Sequence, residues 1–156
     1  MDEIEGFFAG RVPDGWFADA PEVVVDREEI VVIGTIEVPD PAAAVGRTKR
    51  FREETREHRM RIAEEAEAAF GRKVSWGVQA GEERYLFTHL AVPVMTRLRQ
   101  RERLVLDTLI DAGVARSRSD ALAWCVRLVE KHQGDWIDQL REALVQVEEV
   151  RKQGPQ

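Results

Sequence analysis

Residues Met95–Val129 read MTRLRQRERLVLDTLIDAGVARSRSDALAWCVRLV, and this stretch decides the fold. A short extended run, Val94–Leu98, passes into a helical pattern over Arg101–Ala112, in which Leu104, Val105, Leu106, Leu109 and Ile110 supply an apolar face. Gly113 ends that pattern. After a short turn, Ser119 is expected to cap a second helix reaching about His132, with Asp120 in the first turn, where the helix dipole favours a carboxylate. One strand and two helices are too small a unit to bury Leu98, Leu106, Leu109, Leu122 and Val126 alone. Two copies that pair their strands antiparallel share one core and make a two-stranded ribbon, an element the DNA major groove admits.

The two-residue period of a strand sets its faces. With Leu98 inward, Thr96 and Val94 follow it, and Pro93, Met95 and Arg97 face out. Arg97 is then the candidate base contact, since a bidentate arginine–guanine pair discriminates by about 1–3 kcal/mol. Met95 offers an apolar contact, for instance to a thymine methyl. Arg99, Arg101 and Arg103 continue the basic line toward phosphates. At the start of the second helix, the free N–H groups around Ser117 and Ser119, flanked by Arg116 and Arg118, form an anion site.

The segment resembles the ribbon-helix-helix family of DNA-binding proteins. The matching marks are Arg97-Leu98 closing the strand, Leu106-Asp107-Thr108-Leu109 in the first helix, Ala112-Gly113, and the Ser-Arg-Ser-Asp-Ala-Leu opening at Ser117–Leu122. The family often has proline after the strand, where this chain has Arg99, and its strands present two or three polar readers, where this one presents Pro93, Met95 and Arg97. The resemblance implies a homodimer on double-stranded DNA, with the second helix start clamping the backbone. It also implies repressor-like action, with two dimers often sharing a site.

Working outward, residues 1–21 read as an irregular leader punctuated by Gly10, Pro13, Gly15 and Pro21, with Phe7, Phe8, Trp16 and Phe17 tacking it to the body. Two runs rich in Val, Ile and Thr, Glu22–Asp26 and Glu29–Val38, predict a hairpin. Pro39, Pro41 and Gly46 mark a loop. A helix follows over 47–70, with Phe51, Thr55, His58, Ile62, Ala66 and Ala69 along one side and Gly71 as its stop. Lys73–Ala80 and Arg84–Val92 flank Gly81-Glu82-Glu83 as a second hairpin. The expected fold class is α+β: a small antiparallel sheet with one helix (ββαββ) over 1–92, a ribbon-helix-helix-like dimer unit over 93–133, and a C-terminal helix and tail over 134–156. Gly134 breaks the preceding helix, and Asp135 caps the last one. The stripe of that helix, Trp136, Ile137, Leu140, Leu144 and Val147, is a candidate face for a protein partner.

The net charge of −6 hides a pattern. Residues 1–46 carry eleven acids and two bases, whereas residues 47–129 carry seventeen bases and twelve acids. Seven bases, Arg47, Lys49, Arg50, Arg52, Arg56, Arg59 and Arg61, stand against Glu53, Glu54 and Glu57 on one helix. This cluster fits RNA or a ribosome, pairing within the helix (Glu53–Arg56, Glu57–Arg61), or, slightly preferred, neutralisation by the acidic leader. The acidic start MDEIEGFFAG and the lack of a long apolar run argue against a signal peptide or membrane span, so the chain is expected to be cytoplasmic. A lone cysteine, Cys125, reads as a buried structural thiol. His58, His89 and His132 share no ligand spacing, and neither Walker-type nor dinucleotide-type glycine spacing occurs. No cofactor, metal site or catalytic residue is expected.

The function these residues favour is a dimeric DNA-binding transcriptional regulator. Its main rival is an interaction module on the same dimer scaffold, antitoxin-like, with the 94–98 strand absorbed into the sheet through residues 84–92.

Overall fold

The computed structural model describes residues 2–155. It divides into two compact units, one ending at Val94 and the other beginning at Met95.

The first unit opens with a helix, not an irregular leader: α1 spans Glu3–Arg11. Its start is a capping box. The Asp2 carboxylate accepts from the Glu5 N–H at 2.8 Å, and the Asp2 N–H donates back to the Glu5 carboxylate at 3.1 Å. Glycine and proline further along the leader obscured this local signal. The expected aromatic anchoring is present: Phe8 is fully buried, and Phe7, Trp16 and Phe17 pack against the same core.

The next strands, β1 (Glu22–Val25) and β2 (Glu29–Ile36), form the expected antiparallel hairpin. Asp26 closes its turn, accepting from the N–H groups of Glu28 and Glu29 at 2.8 Å each. These bonds hold the Asp26 carboxyl below its ordinary range. A single 3-10 turn, Pro41–Ala43, is capped by Asp40 and leads into α2 (Ala44–Glu54) and α3 (Arg56–Phe70). The one predicted helix is thus two, interrupted at Thr55, whose φ of −101° and ψ of −1° leave the helical range. The Thr55 hydroxyl donates to the Phe51 carbonyl at 2.6 Å, a back-bond of the kind that bends helices. Gly71 stops α3 as expected, in the left-handed conformation at φ 68°.

Two further strands, β3 (Lys73–Ala80) and β4 (Glu83–Leu86), make the second hairpin. The sheet is mixed, not antiparallel. Its order is β1-β2-β3-β4, and the central pair β2–β3 runs parallel from Glu29↔Lys73 to Ile36↔Ala80. Parallel pairing needs a long crossover, which α2 and α3 supply. Both central strands are accordingly almost continuously buried, as parallel strands covered by helices should be. Leader and sheet also meet closely: a Cβ at Gly34 would collide with the Phe17 ring. The core gathers Phe8, Ile30, Val32, Ile36, Phe51, Ile62, Ala66, Trp76 and Val78.

Strand β4 ends at Leu86, short of the expected Val92. Residues 88–99 have no regular structure, so the 94–98 segment is not absorbed into the sheet. In the second unit, α4 (Gln100–Asp111) ends before Gly113 at φ 77°, and α5 runs over Arg118–Gln153. The expected break near Gly134 is present one residue earlier: two helices meet across a kink at Gln133 (φ −122°, ψ 19°), and Asp135 lies just inside the second of them. The core of this unit is thin. Leu106, Ala115 and Ala121 are buried, with Leu98, Leu109, Ile110, Leu122 and Cys125 packed partly buried around them. Among the described residues, no helix is long and apolar enough to cross a membrane.

Candidate functional site

The segment before α4 has no regular structure and is exposed over residues 88–97. Among the described residues, no backbone–backbone hydrogen bond engages residues 88–98. Val94 is 86% and Met95 95% exposed, so the faces expected to point in and out are equally open in one chain. Only Leu98 reaches the small core. Arg97, Arg99 and Arg101 are exposed, and among the described residues none forms an ion pair. Arg103 is engaged: it donates to the Leu98 carbonyl at 2.7 Å and closes the segment onto the helix start.

At the start of α5 the cap is Ser117, not Ser119. The Ser117 hydroxyl accepts from the Asp120 N–H at 3.1 Å, while the Asp120 carboxylate accepts from the Arg116 N–H at 2.9 Å. Ser119 lies in the first turn, exposed. The choice between the two serines turned on Asp120, three residues after Ser117, whose N–H donates to the Ser117 hydroxyl and whose carboxylate reaches back to the Arg116 N–H. Arg118 is bound to Asp107 of α4 through two 2.9 Å bonds. This fork holds the Asp107 carboxyl below its ordinary value and the guanidinium above its own. The helix start thus offers backbone N–H groups, Ser119 and Arg116, with Arg118 tying α5 to α4.

A second, unanticipated feature lies wholly within the first unit. A groove of about 390 Å³ is lined by Arg52, Arg56 and Arg59 together with Met60, Ala63, Glu64, Glu67, Lys73, Val74, Trp76, Phe87 and Thr88. Arg59 is only 3% exposed. Its guanidinium donates to the Thr55 hydroxyl at 2.9 Å and to the Arg52 carbonyl in the last turn of α2 at 2.7 Å, and it stacks on the Phe87 ring at 4.9 Å. Burial, with Arg52 and Arg56 nearby, pushes its pKa down to about 10. The stripe 51-55-58-62-66 and the stripe 51-55-59-62-66 are equally good helical spacings, and hydropathy favoured His58 over the residue that is in fact buried. Only the tertiary partners of Arg59 resolve that choice.

The remaining sequence expectations fare unevenly. The leader meets α3 through the opposite charges from those expected, with Arg11 forked onto Glu65 at 2.7 Å. Neither expected intrahelical pair forms, and Arg50 approaches Glu54 at 4.0 Å instead. Cys125 is half-buried on the small core, not fully enclosed. Among the described residues, no group of three His, Cys, Asp or Glu side chains is placed to hold a metal ion.

Comparison with known proteins follows the same two-part division. Residues 2–86 match the N-terminal domain model of Rv1265-like proteins, and residues 99–151 match the Mb1296 C-terminal domain model. The chain belongs to the Rv1265-like family. It is similar to uncharacterized protein Mb1296 of Mycobacterium bovis and uncharacterized protein Rv1265 of Mycobacterium tuberculosis. Each is 60% identical over 155 residues, which cover 96% of this chain and 69% of the relative. No solved structure matches. Within the family models, the groove falls almost entirely in the N-terminal match, and Arg99, Arg101 and the α5 start fall in the C-terminal one. Met95 and Arg97 lie between the two.

Proposed function

We propose that the protein is a dimeric DNA-binding transcriptional regulator of ribbon-helix-helix type, in which residues 94–98 of two copies pair as the reading ribbon. One observation carries this reading: a segment of no regular structure, without backbone–backbone partners among the described residues, leads into a helix pair whose core is too thin to stand alone. A second copy supplies both missing parts, pairing the strand and covering Leu104, Val105, Val126 and Val129, each about half exposed or more. Arg97 and Met95 are then the base-facing side chains. Arg99 and Arg101 lie along the phosphates, and the N–H groups, Ser119 and Arg116 at the α5 start clamp the backbone.

The test is binding of the full chain to random and genomic DNA fragments across a salt series, with solution mass measured in parallel. A dimer that selects fragments, with affinity falling steeply as salt rises, is expected. Arg97→Ala should lose about 1–3 kcal/mol of discrimination between fragments while the dimer stays intact. A dimer that ignores DNA at low salt would sink this reading.

A second reading has its own support. Beyond the kink, α5 exposes Trp136, Leu140, Leu144 and Val147, at 46–61%. Such a stripe favours an interaction module on the same dimer scaffold, in which this helix packs on a protein partner.

A further inference from the structure

The groove of the first unit contains three guanidinium groups without a carboxylate partner and a buried indole without an acceptor among the described residues; Arg52 donates to the Phe87 carbonyl at 3.1 Å and lies over that ring at 5.3 Å. Among the described residues, neither Arg52, Arg56 nor Arg59 forms an ion pair. Arg59 is buried in that condition, satisfied only by a hydroxyl and a carbonyl. A buried cation without a counter-ion is costly, and two like charges nearby raise the cost. Trp76 adds a second unmet need: the side chain is 2% exposed and its indole N–H has no acceptor. Buried donors are nearly always paired, so each orphan calls for an explanation.

The rest of the lining narrows what would fill the groove. Met60, Ala63, Val74 and Phe87 are apolar, and the volume of about 390 Å³ falls within the range of small-molecule sites. Glu64 and Glu67 also border it, with Glu67 taken by Lys73 at 2.6 Å. These carboxylates work against a heavily charged guest and leave room for a head of one or two negative charges. Basic side chains at one place and apolar walls beside them are the arrangement that receives an amphiphile.

We propose that this groove binds a small organic anion, a carboxylate or phosphate monoester on a compact apolar body, with the head on Arg52, Arg56 and Arg59 and an acceptor on the Trp76 indole N–H. Ligand binding removes the unpaired charge and the orphaned donor together, so it stabilises the first unit. The site does not rest on the DNA reading.

The experiment is a titration of the whole 156-residue chain followed by the indole N–H signals in nitrogen–proton correlation spectra. The Trp76 signal is identified as the one lost in Trp76→Phe. Four probes separate the terms: 2-naphthoate, phenyl phosphate, inorganic phosphate, and the neutral 2-naphthalenemethanol. The Trp76 signal should move with naphthoate or phenyl phosphate, and the thermal midpoint should rise. Inorganic phosphate should bind at least tenfold more weakly than the better organic anion, and the neutral alcohol should leave the signal in place. Arg56→Ala, at an exposed position, and Arg52→Ala, which also gives up a bond to the Phe87 carbonyl, should each weaken the organic anion several-fold. Silence of the Trp76 signal toward both organic anions would overturn the proposal. So would equal binding of the alcohol, or affinity unchanged in both arginine variants.

Discussion

The two units solve the burial problem in opposite ways. The first sinks Phe8, Ile30, Val32, Ile62, Trp76 and Val78 completely, and its central strands are covered along nearly their whole length. The second buries three side chains and leaves Val126 at 63%, Leu144 at 61% and Val150 at 67% exposure. The contrast separates a fold that covers its own apolar side chains from one that leaves many of them open. It also separates two kinds of unfinished business. In the first unit what is left over is polar and enclosed, whereas in the second it is apolar and open.

Four experiments would break or sharpen that contrast. The largest effect is expected at Phe8, where replacement by alanine should cost about 3–5 kcal/mol, read from the urea midpoint. A cost below about 1 kcal/mol would remove α1 from the core of the first unit. Next comes the open stripe. Leu144→Glu, at a side chain 61% exposed, should leave the helical signal unchanged while abolishing the partner contact proposed for this stripe, with any change in solution mass read alongside. A variant with unchanged mass and unchanged binding would mean the stripe is idle.

The third experiment decides between two serines. Ser117→Ala should destabilise the second unit by about 0.5–2 kcal/mol, whereas Ser119→Ala should do little. The reverse order would overturn the cap assignment. The smallest effect concerns pH. Asp107 has a folded pKa below its ordinary 3.8, held there by Arg118. Its contribution is therefore fully present above that value and is lost as pH falls through the folded pKa, because the unfolded chain takes up the proton first. Asp107→Asn should flatten the acid limb of the stability profile, measured as the thermal midpoint between pH 5 and pH 2. An unchanged limb would show that the fork with Arg118 carries no stability.

Much of the layout was legible in local patterns. The Val- and Ile-rich runs at Glu22 and Glu29, the glycine stop at Gly71 and the hairpin turn at Gly81 all report through neighbours a few residues away. The helix α1 was legible too, since Asp2 and Glu5 stand at capping-box spacing, yet the glycines and prolines behind them weighed more heavily in the reading. For the proposed DNA-facing surface, the arginines at 97, 99 and 101 were visible as charges, and all three are exposed, as are Val94 and Thr96, which were expected to face inward. Arg103 and Arg118 were visible as charges only, and their engagement with Leu98 and Asp107 was not. Of the groove, only Arg52, Arg56 and Arg59 were visible, as members of a basic cluster; the cavity itself was not, because its lining comes from α2, α3, β3 and the chain after β4.

By itself, then, the sequence determined which segments are strands and helices over most of the chain, where several of them stop, and that the region after residue 93 differs in kind from what precedes it. These are consequences of hydrophobic period and backbone chemistry, which act over a turn or two of chain. The tertiary structure alone decided that β2 and β3 run parallel, that the helix between them breaks at Thr55, and that Arg59 is fully enclosed while His58 packs half-buried on the Trp16 ring. Strand direction depends on how a crossover of more than thirty residues returns to the sheet. A buried arginine depends on a hydroxyl, a carbonyl and an aromatic ring arriving together from separate parts of the chain. Only the folded arrangement can bring those partners to one place.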